Sequence, residues 1–238
     1  MYHSLDLSGS PISLDPAVFE QHLRFLAGGR VKVVPLERLP DLADDEDAVA
    51  VTFDDGFGNF ATEAAPRLRD GGMPVTLFVV TDHQGTNDWG GLPAPGIPSL
   101  PLLDWEALGR MAEQGVTLGG HTRHHPRLSR VEPARLEDEI GGCAARIREQ
   151  TGQTAQTFAY PYGDLTPEAV AVTARYFSMA CTTELRTLAN EERMHLLPRL
   201  DMYYYSGPGT LEAWGTPRFR RRLAWRATAR RVRQVFRS

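Results

Sequence analysis

The chain has 238 residues, 42% of them hydrophobic and 24% charged, and two cysteines. That balance excludes a disordered chain, a collagen-like fibre and a disulfide-dense mini-protein, and with no apolar run near ~18 residues it excludes a membrane-spanning helix. The net charge of −4 conceals two unlike parts: nine of the 26 basic residues and none of the 30 acids fall in 217–238, so that segment carries +9 and the other 216 residues carry −13. We expect an acidic domain over 1–216 and a basic appendage over 217–238. Met1-Tyr2-His3-Ser4-Leu5 lacks the basic and apolar blocks of an export signal, and Cys143 and Cys181 match no ligand spacing. The reading is a cytoplasmic chain with buried thiols in a reducing compartment.

In chain order, Asp15-Pro16 supplies an N-cap and a first helical residue. Phe19, Leu23 and Leu26 mark one face of that helix, and Gly28-Gly29 stops it. A short strand follows at 31–34, and 48–53 (AVAVTF) has the composition of a strand buried on both faces. Residues 59–70 read as helix and 75–80 (VTLFVV) as another buried strand. The stretch 82–101 holds four Gly and four Pro, and a loop of that length inside a compact domain is usually functional. Asp104 caps a helix carrying Trp105, Leu108 and Met111, ended by Gly115. A strand at 116–120 follows, then a helix at 133–150 with Leu136, Ile140, Cys143 and Ile147 on one face. Next come a strand at 157–160, a helix opened by Thr166-Pro167-Glu168 and running to Arg175, and strands at 177–182 and 196–202. Seven strands alternating with helices imply an α/β fold with a mostly parallel sheet, closed or doubly wound, and ligands at the C-terminal strand ends. No Gly-x-Gly-x-x-Gly follows the first strand, so nucleotide binding has no support.

Three strand ends carry the chemistry. Thr52-Phe53-Asp54-Asp55-Gly56 sets two adjacent carboxylates at the edge of a core, which is costly without compensation. One carboxylate is a candidate cation ligand and its neighbour a general base; the plainer alternative is a helix cap or turn. His121 and His125 lie four residues apart after the next polar strand end, and with one Asp they make an open two-nitrogen, one-oxygen set. Spacing alone leaves His124 as a rival to His125. The third element is Phe158-Ala159-Tyr160-Pro161-Tyr162-Gly163-Asp164, a tight turn at a strand end.

Together, TFDDG, HTRHHP and FAYPYG resemble the polysaccharide deacetylase family (carbohydrate esterase family 4), over roughly residues 1–205. The resemblance implies a distorted parallel (β/α) barrel of about seven strands. It also implies metal-dependent removal of an N-acetyl group from an amino sugar or glycoconjugate. By the same resemblance Asp54 is the base, and Asp55, His121 and His125 hold a divalent metal ion, Zn²⁺ being the first choice. Thr122 supports the histidine loop, and the Tyr162 backbone N–H helps to hold the oxyanion. Tyr160 and Pro161, in the same turn, are read as substrate-binding. The chain departs from the family at Ala159, where an Arg usually orients the base, and at Leu197-Pro198-Arg199, where a Leu-x-His usually carries the acid. It is closer to a subgroup with an early Tyr-His pair. His3 is therefore the candidate acid or substrate-positioning residue, with His195 as second choice, and Arg199 the candidate orienter or substrate contact. His22 and His83 read as ordinary surface or loop residues. Trp89 either stacks on a sugar face or packs the long loop, and Tyr203-Tyr204-Tyr205 either line the cleft or pack on the surface.

In the tail, Phe219, Leu223, Trp225, Ala229, Val232 and Phe236 recur at roughly helical spacing between arginines. Such a helix either lies on an anionic membrane surface, placing the chain at the inner membrane face, or packs its stripe back on the domain. The acidic body argues against nucleic acid. Two rival functions remain at this point: a sugar-binding member without catalysis, and a non-haem Fe(II) oxygenase built on the same two-His-one-Asp set.

Overall fold

The computed structural model describes residues 1–43, 46–91, 94–189 and 191–235, the last five by backbone alone. Its strands are β1 (Ser4–Leu5), β2 (Ser13–Leu14), β3 (Lys32–Val33), β4 (Ala48–Val49), β5 (Val51–Phe53), β6 (Val75–Val79), β7 (Thr117–Gly120), β8 (Thr157–Ala159) and β9 (Met179–Cys181). Its α-helices are α1 (Pro16–Ala27), α2 (Ala65–Asp70), α3 (Trp105–Glu113), α4 (Pro133–Thr151), α5 (Pro167–Tyr176) and α6 (Pro217–Val235). Asp15, Asp104 and Thr166 cap α1, α3 and α5 through their side chains, as the sequence predicts. No described helix is long and apolar enough to cross a membrane.

The main sheet is parallel, in the order β5-β6-β7-β8-β9, and α2 to α5 make the crossovers. It curls, and irregular segments continue both edges. Tyr2 bridges Phe53: its N–H donates to Thr52 O (2.9 Å) and its carbonyl accepts from Asp54 N–H (3.0 Å). Leu197 bridges Cys181 on the far edge, and the Met202 N–H donates to Met1 O at 3.1 Å, so the two edge segments meet.

Seven strands are expected around the sheet, and five regular ones are observed. The run 48–53 divides: β4 pairs with β3 in a separate two-stranded sheet, and only β5 enters the main one. Residues 196–202 hold a single bridge because the Arg199 N–H, next in line to bond β9, donates to Glu184 O at 2.9 Å, while Thr182 O accepts from Arg199 Nε at 2.9 Å. The helix expected over 59–70 opens as a π-helical turn at Phe60–Ala64 before α2. Pro66 cannot donate to a preceding carbonyl, so the backbone widens there. Strands β1 and β2 are two residues each, too short for hydrophobic periodicity to mark.

The core is centred on Phe53, which no water reaches. Tyr2 stacks on it at 5.0 Å, and Phe19 and Phe60 meet it edge-on at 5.7 and 5.0 Å. On β7, Gly119 and Gly120 allow the sheet to pack closely. A Cβ on Gly119 would lie 2.5 Å from the Phe78 ring, and one on Gly120 would lie 2.7 Å from the Phe177 ring. Gly119→Ala is expected to lower the unfolding free energy by about 1–3 kcal/mol through overpacking. Urea denaturation checks this; an unchanged midpoint would mean that Phe78 moves aside freely.

Candidate active site

The C-terminal ends of β5, β7, β8 and β9 gather the polar residues. Phe53 fixes the start of the Asp54-Asp55 turn. Asp55 then takes φ 73° and Gly56 φ 79°, so the two successive carboxylates face different partners.

Asp54 meets Arg199 in a two-point fork, with Nη1 to Oδ1 at 2.6 Å and Nη2 to Oδ2 at 2.8 Å, and both side chains are buried. Arg199 is itself held: its Nε donates to Thr182 O at 2.9 Å, and the guanidinium lies over the Phe78 ring at 5.5 Å. His3 Nε2 is 3.8 Å from Asp54 Oδ2. Burial works to raise the Asp54 pKa, but Arg199, His3 and His121 outweigh it and hold the carboxyl below its ordinary value. His3 reaches this place because Tyr2 pairs beside β5, which aligns the third residue with the Asp54 turn.

Asp55 Oδ1 lies 3.3 Å from both His121 Nε2 and His125 Nε2. His121 Nδ1 faces Ala159 O at 2.7 Å, a carbonyl that can only accept, so Nδ1 carries a proton and Nε2 is the nitrogen turned to Asp55. His125 Nδ1 is 3.1 Å from the Tyr162 hydroxyl, which leaves its Nε2 facing the same carboxylate. Burial raises the Asp55 pKa, yet hydrogen bonds from the two imidazoles hold it well below the carboxylate range. Burial also lowers the His125 pKa, which favours the neutral ring a cation requires.

The three donor groups lie within 4.8 Å of one another and are buried. Metal–ligand bonds of about 2.0–2.1 Å in tetrahedral geometry put donor atoms about 3.3 Å apart, so the set fits a small divalent cation with open positions. His124 is excluded from it. Its N–H and Nδ1 both bond the buried Glu139 carboxylate of α4, at 3.1 and 2.9 Å, and this turns the ring away.

Five described residues other than glycine have positive φ: Asp55, Trp89, Thr122, His125 and Tyr162. All five belong to this site or touch it. Such conformations cost about 1–3 kcal/mol each and persist only where surrounding contacts impose them. Thr122 shows the mechanism, since its hydroxyl donates to His121 O at 2.5 Å and accepts the His125 N–H at 2.9 Å.

Trp89 stacks on the His125 ring at 4.1 Å between centroids, and His83 packs near it at 5.3 Å. Asn87 anchors this part of the long loop through Pro98 O (3.1 Å) and Leu100 N (2.8 Å). Tyr162 is 44% exposed, with the Arg127 guanidinium over its ring at 4.4 Å.

One expected substrate contact is corrected. Tyr160 is wholly buried: its ring packs on Phe158 and its hydroxyl donates to His195 O at 3.1 Å. Pro161 is buried in the turn that carries Tyr162. His195 Nε2 bonds Phe177 O at 2.9 Å, at the entry to β9 and so at the opposite end of the strand from the site. His22 is a core residue, bonded to the Tyr2 hydroxyl at 3.1 Å and to Tyr205 O at 3.2 Å. Sequence reasoning missed Glu139 and the Tyr162 hydroxyl. The signal for Glu139 was present: it is a carboxylate on the apolar face that carries Leu136, Ile140 and Cys143.

A family profile described as polysaccharide deacetylase matches residues 41–177, more than half of the chain. The chain belongs to the polysaccharide deacetylase family. YxkH of Bacillus subtilis (strain 168) is 26% identical over 206 residues, 84% of this chain and 69% of that protein. A chitooligosaccharide deacetylase of Bradyrhizobium sp. (strain ANU 289) is 30% identical over 130 residues, 54% of this chain and 52% of that protein. Among solved structures, the Streptococcus pyogenes deacetylase PplD in complex with acetate has a TM-score of 0.71 at 20% identity, covering 84% of this chain and 89% of its own. IcaB from Ammonifex degensii has a TM-score of 0.69 at 25% identity, covering 85% and 91%. The PplD likeness shows that this chain shares that α/β fold.

Glu139→Ala removes both bonds that hold His124 and with them the shape of the histidine loop. Zn²⁺ affinity measured by calorimetry is expected to fall about 10–100-fold, and an unchanged affinity would exclude this support role. Arg199→Met leaves the Asp54 carboxylate buried and unpaired, and is expected to cost about 3–5 kcal/mol of stability at neutral pH. Because Arg199 lowers the Asp54 pKa, the pair's contribution is present above the unfolded value, about 3.9, and fades as pH falls through the folded one. The gap between wild type and variant in thermal unfolding is therefore expected to narrow on acidification.

Proposed function

We propose that this chain is a metal-dependent N-deacetylase that releases acetate from an N-acetylated amino sugar or glycoconjugate. The observation that carries the reading is the pairing of a buried, arginine-held carboxylate, Asp54, with a separate three-donor set, Asp55, His121 and His125. A cation held by those three, most simply Zn²⁺, would lower the pKa of a water from 15.7 to about 7 and polarise the amide carbonyl.

The remaining roles belong to the chain's own residues. Asp54 takes a proton from the attacking water, and the Arg199 fork fixes its carboxylate plane and keeps it ionised. The Tyr162 backbone N–H donates to the carbonyl oxygen as it gains charge, a contact of a kind worth about 3–4 kcal/mol. The Tyr162 hydroxyl and the Ala159 carbonyl fix the two imidazoles. His3, beside Asp54, donates a proton to the amine nitrogen as the C–N bond breaks. A C–O bond forms, a C–N bond breaks, and acetate and free amine leave. Trp89, stacked on His125, forms a wall of the substrate cleft.

Ala159 and the missing Leu-x-His invite the reading of an inactive binding member, but Arg199 supplies the base with the guanidinium that Ala159 lacks. Family membership and the adjacent base count against an oxygenase.

Asp54→Asn is expected to keep Zn²⁺ affinity while acetate release from N-acetylglucosamine oligomers falls about 10²–10⁴-fold. Retained turnover would remove Asp54 from the base role. Loss of cation binding in this variant would overturn the division between base and ligand set.

A further inference from the structure

We propose that the outer face of α6 is a docking surface for an anionic lipid bilayer. Phe219 and Leu223 are buried, with Phe219 packed on Trp214 and Tyr205 at 4.9 and 5.4 Å, so the helix already has a filled apolar side. Its inner arginines are engaged by the turn at 201–205. Arg222 donates to Tyr204 O at 2.9 Å, Arg226 lies over the Tyr204 ring at 5.2 Å, and Arg230 is 3.7 Å from Asp201.

The outer side differs. Trp225 is 65% exposed, and Arg218, Arg220 and Arg221 are exposed and form no ion pair among the described residues. Arg218, Arg221 and Trp225 are spaced i, i+3 and i+7, so they share one face. No acidic residue occurs anywhere in 217–238. An indole beside guanidinium groups suits the boundary between lipid headgroups and acyl chains.

The shape of the charge selects the occupant. A bilayer is flat and meets only the outer face. The acidic body then stays behind a helix about 10–12 Å across, roughly one Debye length at 0.1 M salt. A nucleic acid would draw on cations around more of the helix, and three of them are turned inward. Ala227 and Arg230, on the inner side, wall a cavity of about 280 Å³ shared with Gly163, Thr182 and Thr183, so the docking helix borders the catalytic end of the sheet.

The test uses the full chain and does not depend on turnover. Co-sedimentation is measured with vesicles of phosphatidylglycerol and phosphatidylcholine, with phosphatidylcholine alone, and with a DNA duplex at the same salt. Binding to the anionic vesicles only, weakened by salt, is expected. At about fivefold per arginine, Arg218→Gln with Arg221→Gln is expected to weaken it about 25-fold, with an unchanged melting temperature. Trp225→Ala is expected to reduce binding, and brominated lipid is expected to quench wild-type fluorescence more than that of Trp225→Phe. Equal sedimentation of wild type and the arginine variant, no vesicle binding, or tighter binding to the duplex would each overturn the proposal.

Discussion

Two adjacent buried carboxylates need two different sets of partners, and the rest of the site is organised around that requirement. Asp54 and Asp55 share one turn, yet neither can remain ionised in the core without compensation. Asp54 obtains it from Arg199, 145 residues away in the chain, through two short charge-assisted bonds. Asp55 obtains it from two imidazoles whose other nitrogens are held elsewhere. The positive φ of Asp55 and Gly56 is what lets neighbours in sequence face such different environments.

The strain needed for that arrangement is concentrated rather than spread. Asp55, Thr122, His125, Tyr162 and Trp89 all occupy left-handed backbone, and firm packing surrounds them. Phe53 lies in an aromatic cluster, the two glycines of β7 let Phe78 and Phe177 approach the sheet, and Glu139 clamps the histidine loop to α4. A site of this kind is rigid because its scaffold leaves its loops few alternatives.

The departures from the family pattern acquire a physical meaning in this light. Ala159 is buried on β8 and offers only its carbonyl, which holds His121. The guanidinium that Asp54 needs arrives instead from the irregular segment after β9, where pairing ends at Leu197 and the Arg199 side chain takes the Thr182 carbonyl and turns to the core. His3 enters through the pairing of Tyr2 beside β5. Asp54 is therefore served by both edge segments of the curled sheet, the same two that meet through Met1 and Met202.

The sequence by itself determined the α/β class and the caps of α1, α3 and α5, because short-range chemistry and spacing carry those signals, and it brought Asp55 and His121 forward with His124 and His125 as rivals, the family resemblance favouring His125. It also pointed to Arg199 and His3 as the residues that answer the missing motifs. Only the tertiary structure decided that His125 rather than His124 faces Asp55, since Glu139 on a distant helix makes that choice. It alone placed the Tyr160 ring in the core and divided 48–53 between two sheets. The physical reason is the same in each case. Which side of a turn or strand is buried depends on what packs against it, and those partners lie tens to hundreds of residues away.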